Sequence, residues 1–438
     1  MERFVIEGGK PLSGRVVPSG SKNEALPAIA ACLLTPEPVV LKNVPDIQDV
    51  RVMLQVLEQL GCRVERLAED TVRVTAADIH EVVDQELARR VRASILFAGP
   101  ILARLGRVVL PPPGGDVIGR RRLDTHFIGL QALGAEFTMN GNYELSAKRL
   151  VGTEIFLDEA SVTATENIVM AAVLSEGQTV LMNAASEPHV QGLCRMLVSM
   201  GAEISGIGTG TLRIGGSRKL HGTTHTIGPD YLEIGSWIGL AAVTHSDIAI
   251  DGCRTDELRM IQHVFAKLGV FPEVEPAPVH GGLGGPNGLA TLRVRPDQPL
   301  EVRRDLHGAI PRIDDAPWPA FPTDLMSIAI TTATQCKGTV LFFEKMFEGR
   351  MFFTDSLIAM GASIILCDPH RIVVVGPSPL YGARLESPDV RAGMALLIAA
   401  LAARGTSTIY NIRQIDRGYM RIDEKLRALG ASIVRDDG

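Results

Sequence analysis

The sequence predicts an α/β protein of two domains, each assembled from three similar units. Two observations carry that expectation. A helical pattern ending in an apolar residue, then Gly, a small or apolar residue and a strand, recurs six times: LGCRV at Gly61, LGAEF at Gly134, MGAEI at Gly201, LGVFPEV at Gly269, MGASI at Gly361 and LGASI at Gly430. A glycine at that place closes a helix in the left-handed conformation before the chain turns into a strand. The composition agrees, with 46% apolar and 21% charged residues, 44 glycines and only 5% aromatics among 438 residues, the profile of aliphatic packing and tight turns.

Taken in order, each unit offers a second helix upstream of its glycine: KNEALPAIAACLL, ARRVRASILFAGPILARLG, TATENIVMAAVLSEG, DYLEIGSWIGLAAVTHS, FPTDLMSIAITTATQ and PDVRAGMALLIAALAARG. These are apolar on most faces, which predicts one buried helix per unit and one amphipathic helix nearer the surface. Strands are expected at PVVLKNV, TVLMNAA, SDIAIDG, TVLFFEK and TSTIYNI. A unit of roughly 70 residues cannot bury its own hydrophobic face, so three associate per domain. The longest interval, between Gly269 and Gly361, marks an insertion over residues 273–317, rich in Pro and Gly and expected to be a functional or mobile loop in the fifth unit.

Composition also excludes function classes. A net charge of −6 argues against sequence-independent nucleic-acid binding, so any anion site must be a local cluster of cations. No stretch reads as membrane-spanning, and MERFVIEGGKPLSG lacks the basic and apolar regions of a secretory signal, so a cytoplasmic protein is expected. The six cysteines lack metal or disulfide spacing and are expected to be buried thiols. The histidines do not cluster and no glycine-rich nucleotide motif sits between a strand and a helix, so neither a metal nor a nicotinamide or flavin cofactor is expected.

The stretch with the most chemistry is PPPGGDVIGRRRLDTH, Pro111 to His126. Stiff prolines followed by two glycines deliver Asp116, then Arg120, Arg121 and Arg122, then Asp124. Guanidinium forks suit phosphate and carboxylate oxygens. Other polar residues open the buried helices or sit in turns beside them: Lys22 and Asn23, Arg92, Asp324, Arg350 in FEGR, Asp389 and Arg391, and Arg417 in IDRGYMR. Lys22 and Arg391 add positive charge where a helix N-terminus already favours anions, which costs local helix stability and points to a function.

SKNEALP, VRASILFAGP, PPPGGDVIGRRRLD, PAFPTD, FEGR, PDVRAG and QIDRGYMRIDEKLRALGA resemble the motifs of the UDP-N-acetylglucosamine 1-carboxyvinyltransferase family, over nearly the whole chain. The resemblance implies an inside-out α/β barrel fold: two domains of three βαβαββ repeats, residues 22–229 forming one and residues 1–21 with 230–438 the other, and an active site in the cleft between them. It implies transfer of the enolpyruvyl group of phosphoenolpyruvate to the 3′-hydroxyl of UDP-N-acetylglucosamine, through a tetrahedral intermediate, with no cofactor. Lys22, Arg92, Arg121, Arg350, Arg391 and Arg417 are implied to neutralise the two polyanions, and Asp324 to take the hydroxyl proton. Asn23, Arg122, Leu123, Asp124, Thr125, Ser161, Val162, Thr163, Met346 and Asp389 are implied to complete the substrate contacts.

The chain also departs from the family pattern. Most relatives carry Cys at the loop tip as general acid and lose activity when fosfomycin alkylates it; here that position is Asp116. A carboxyl with a reference pKa of about 3.9 must have it raised to donate a proton, which a lid closing over an anionic substrate favours. ArgArgLeuAsp stands where Arg-Pro-Val-Asp is typical, SVTATEN where SVGAT is usual, Glu159 where a basic residue is frequent and Trp318 where a histidine is. These departures leave room for another nucleotide or hydroxyl acceptor, and loss of the cysteine for an inactive UDP-sugar-binding regulator.

Overall fold

In a computed structural model, the described residues are 2–115, 118–119, 121–276 and 289–436. The chain divides into two compact units. Unit 1 comprises Met1–Ser19, Val117–Arg120 and Pro229–Gly438, and unit 2 comprises Gly20–Asp116 and Arg121–Gly228.

Each unit carries three sheets on a core of buried helices. In unit 1 the helices Tyr231–Val243, Met326–Ala333 and Val390–Ala402 pack on one another. Every residue of the first two is buried, and so are all but the last of the third. That is the environment expected for helices with no polar face. In unit 2 the corresponding helices are Lys22–Ala31, Ala98–Leu105 and Val162–Ala172. The helices that precede the recurring glycines lie outside these and bury one stripe each. Gln48–Gln59, for example, buries Val50, Met53, Val56 and Leu57 and exposes Arg51 and Glu58. All six recurring glycines have positive φ, from 76° at Gly269 to 110° at Gly361, which an L side chain would adopt only under strain.

Five of the described sheets have four strands and one has three. In unit 1, Arg3–Glu7 runs antiparallel between Thr406–Tyr410 and Ser432–Asp436, so the N-terminal strand is central to a sheet otherwise built from the far end of the chain. Ser13–Val16 pairs with Asp247–Cys253, again joining early residues to unit 1.

Two expectations need correction. Residues 273–317 are not simply a loop inserted in the fifth unit. Glu273–Pro276 and Ala290–Val294 pair with each other and extend the sheet of Asp247–Cys253, and Arg312–Asp314 pairs with Gly338–Phe343. The apolar stretch LATLRV forms a ladder that the surrounding Pro and Gly obscured; residues 277–288 lie outside the described set. Among the cysteines, Cys32, Cys62, Cys194, Cys253 and Cys336 are buried as thiols, whereas Cys367 is exposed on the strand Ser363–Asp368. No helix among the described residues is long and apolar enough to cross a membrane.

Candidate active site

In unit 2, Lys22 opens its helix behind an N-cap Ser21 that makes no side-chain cap. The lysine does not face the helix dipole uncompensated, as the sequence led us to expect. Asp49, in the first turn of Gln48–Gln59, lies 2.7 Å from its Nζ. Asn23, beside it, is partly buried. Arg92 is not inside one long helix: the backbone becomes extended at Val91, dividing the stretch into Gln85–Arg90, a 3₁₀ turn Arg92–Phe97, and Ala98–Leu105. Opening that turn, Arg92 donates from Nη2 to the Arg121 carbonyl at 2.7 Å and thereby ties down the backbone at Arg121. The glycines of the loop have a steric reason. A Cβ at Gly114 would stand 1.7 Å from the Arg89 carbonyl oxygen, and Gly115, at φ 114°, packs against the Arg92 side chain. Asp116 and Arg120, expected to supply the proton and part of the cationic face, lie outside the described residues.

Beyond the loop, Arg122 pairs with Asp124 at 3.0 Å and with Asp158 at 3.2 Å. Thr125 donates to Asp158 at 2.9 Å, while Leu123 precedes the helix Asp124–Ala132 as its N-cap. Ser161 caps the helix that begins at Val162, its hydroxyl accepting from Ala164 N. Thr163 meets buried His126: Asn167 Nδ2 donates to Nδ1 at 2.9 Å, so Nε2 carries the hydrogen and donates to Thr163 Oγ1 at 3.0 Å. Burial, and then the charge of Arg92, push the His126 pKa down to about 3, which keeps the ring neutral.

Unit 1 gathers the second group around Asp324. This residue lies in the 3₁₀ turn Thr323–Leu325 that leads into Met326–Ala333. Its Oδ1 accepts from Arg350 Nη2, and its Oδ2 from Arg391 Nε at 3.1 Å. The side chains of the two arginines are only 8% and 4% exposed against 25% for Asp324, so the carboxylate is the part of the triad that reaches outward. Arg350 Nε and Arg391 Nη1 are buried with no acceptor among the described residues. An unmet buried donor costs about 1–3 kcal/mol, more when charged, so each of these two nitrogens is a candidate donor to an anion's oxygens.

Asp389 explains how Arg391 can sit at a helix start: its carboxylate caps Val390–Ala402, accepting from Arg391 N at 2.8 Å and Ala392 N at 3.0 Å. Burial opposes the charge of Arg391, but Tyr419, Asp324 and Asp230 raise its pKa above the ordinary value. Arg417 donates to Gln414 at 2.9 Å, and Met346 lies in the turn between Gly338–Phe343 and Arg350. Trp318 packs against Tyr231 with ring centroids 5.7 Å apart. Ile118 of the basic loop groups with this unit, its carbonyl accepting from Gly349 N at 3.0 Å.

Sequence reading missed Asp49, Asp158 and Glu344. Asp49 looks like an ordinary first-turn acid, whereas Glu344 carried a usable signal, a carboxylate closing the apolar strand TVLFF.

Comparison with known proteins agrees with this architecture. Residues 6–426 match the family described as EPSP synthase (3-phosphoshikimate 1-carboxyvinyltransferase). The solved enolpyruvyl transferase NikO from Streptomyces tendae superposes with a TM-score of 0.85 at 24% identity, covering 99% of this chain and 98% of that one. The fold is therefore that of the enolpyruvyl transferases. Among curated proteins, the UDP-N-acetylglucosamine 1-carboxyvinyltransferase of Treponema denticola is 54% identical over 434 residues, 99% of each chain. That of Bradyrhizobium diazoefficiens is also 54% identical, over 99% of this chain and 98% of its own. The chain belongs to the UDP-N-acetylglucosamine 1-carboxyvinyltransferase family.

Proposed function

We infer that the protein transfers the enolpyruvyl group of phosphoenolpyruvate to the 3′-hydroxyl of UDP-N-acetylglucosamine, releasing phosphate, the first committed step of peptidoglycan synthesis in the cytoplasm. The observation that carries the mechanism is Asp324 held between Arg350 and Arg391. A carboxylate is needed where a hydroxyl loses its proton, and guanidiniums where phosphate and carboxylate oxygens gather charge. Arg350 Nε and Arg391 Nη1 are to spare for such oxygens.

Asp324 accepts the proton as the hydroxyl oxygen bonds to C2 of phosphoenolpyruvate, and a proton from Asp116 on the loop adds to C3. The resulting tetrahedral adduct then loses a C3 proton and phosphate, leaving the enol ether. Lys22, Arg92, Arg121 and Arg417 neutralise the substrates' remaining charge, and Asn23, Arg122, Leu123, Asp124, Thr125, Ser161, Val162, Thr163, Met346 and Asp389 orient the sugar nucleotide directly or through their caps and hydrogen bonds.

Pure protein mixed with phosphoenolpyruvate and UDP-N-acetylglucosamine should release phosphate, and should release none when the sugar nucleotide is left out. Asp324→Ala should abolish turnover and change sugar-nucleotide binding only a few-fold, because a base acts as the hydroxyl attacks. No phosphate with both substrates present would overturn the acceptor, and unchanged turnover in the variant would overturn the base.

A further inference from the structure

Behind Asp324 lies a second pair of carboxyls, fully buried and not used by the mechanism above. Glu344 follows the strand Gly338–Phe343, and Asp315 follows the strand Arg312–Asp314 paired beside it; both are fully buried. Glu344 gathers donors from both turns that carry the triad. Thr323, next to Asp324, places its hydroxyl 2.9 Å from Glu344 Oε2 and 3.1 Å from Oε1. Met346 N and Phe347 N, at the start of the turn that ends in Arg350, each donate to Oε1 at 3.0 Å. Asp315 Oδ1 accepts from Lys345 N at 2.6 Å in the same turn.

Asp315 Oδ2 is buried and meets no donor among the described residues. A proton held between the two carboxyls supplies that donor, whereas two adjacent carboxylates without water would repel. We propose that Glu344 holds a proton that it donates to Asp315, and that the two act as a positioning pair, fixing the turn of Asp324 to the turn of Arg350; the proposal rests on the reading of Asp324 as the base.

The surroundings favour the protonated pair. Burial, and then Asp315, push the Glu344 pKa up to about 8, with Arg350 and the Thr323 hydroxyl pulling the other way. The other charged or titratable groups nearby are engaged elsewhere. The Lys345 ammonium pairs with Asp314, and His370 Nδ1 donates to the Glu344 backbone carbonyl at 2.7 Å. As pH rises through about 8 Glu344 loses its proton; Thr323, Met346 and Phe347 still donate to it, but its bond to Asp315 gives way to repulsion between two buried carboxylates, which shifts the two turns.

Glu344→Gln tests this, because an amide keeps the acceptor for Met346 and Phe347 and donates to Asp315, but does not titrate. The natural enzyme should lose kcat as pH rises through about 8 with KM for the sugar nucleotide little changed. Glu344→Gln should keep kcat at neutral pH within about three-fold and lack that alkaline limb. Thr323→Val, which removes only the bridging hydroxyl, should lower kcat by about ten-fold with KM little changed. Infrared difference spectra between the natural protein and Glu344→Gln should contain a protonated-carboxyl C=O band at neutral pH that vanishes above pH about 8. Absence of that band, an alkaline limb retained in Glu344→Gln, or full kcat in Thr323→Val would each overturn the proposal. The infrared measurement needs no turnover, so failure of the pair is distinguishable from failure of Asp324 as base.

Discussion

Lys22 Nζ stands 2.7 Å from Asp49 Oδ2, with the two side chains only 11% and 4% exposed. A lysine that opens a helix and is nearly closed off from water is tolerable because its counter-charge is folded against it. Removing one member of such a pair strands the other, whereas replacing both with apolar groups is often nearly neutral.

Asp49→Ala should therefore destabilise the protein by on the order of 3 kcal/mol, read from denaturant unfolding. Lys22→Met combined with Asp49→Leu should recover most of that stability while remaining inactive. Equal stability of Asp49→Ala and the natural protein would show that the pair has no structural weight.

Asp116 bears on inhibition. A thiolate opens an epoxide far more readily than a carboxylate does, so the natural enzyme should resist fosfomycin and Asp116→Cys should become sensitive to it. Residual activity after timed incubation with the epoxide measures both. Rapid inactivation of the natural protein would remove the loop aspartate from its assigned place.

His126 should give stability an acid limb. The unfolded chain binds a proton at this ring below pH about 6.5, while the folded chain refuses it until about 3. The contribution is complete above 6.5 and is lost as pH falls through that window. His126→Gln, which retains a donor and an acceptor, should narrow the difference in melting temperature between pH 7 and pH 5. An undiminished difference would place the acid limb elsewhere.

Glu166 should act in the opposite direction. Burial, and then Glu187, raise its pKa well above 4.5, so the folded chain keeps a proton that the unfolded chain releases. Stability from this group is full below about 4.5 and declines as pH rises. Glu166→Gln, lacking the proton to lose, should gain melting temperature relative to the natural protein between pH 6 and pH 8; a loss across that range would contradict the assignment.

The features legible in the sequence are those written locally. Apolar helices such as YLEIGSWIGLAAV announce their burial, and the recurring glycines announce positive φ, because both follow from neighbours within a few residues. Asp324, Arg350 and Arg391 could be grouped only through resemblance to a family, since their meeting depends on how the fifth and sixth repeats pack. Asp49 was hidden because its charge partner lies on another helix, and Glu344 because its carboxylate turns inward rather than to solvent. The break at Val91 has no proline or glycine to mark it. The strand Ala290–Val294 was masked by the glycines and prolines around it.

The position of Arg3–Glu7 between Thr406–Tyr410 and Ser432–Asp436 sets a timetable for synthesis on the ribosome. That strand leaves the ribosome before either of its sheet neighbours, with all of unit 2 made in between. Unit 2, by contrast, needs nothing after residue 228 apart from its own chain, so it can close while unit 1 is still being made. The alternating apolar residues Phe4 and Ile6, both fully buried in the finished protein, must be kept from other partners throughout that interval.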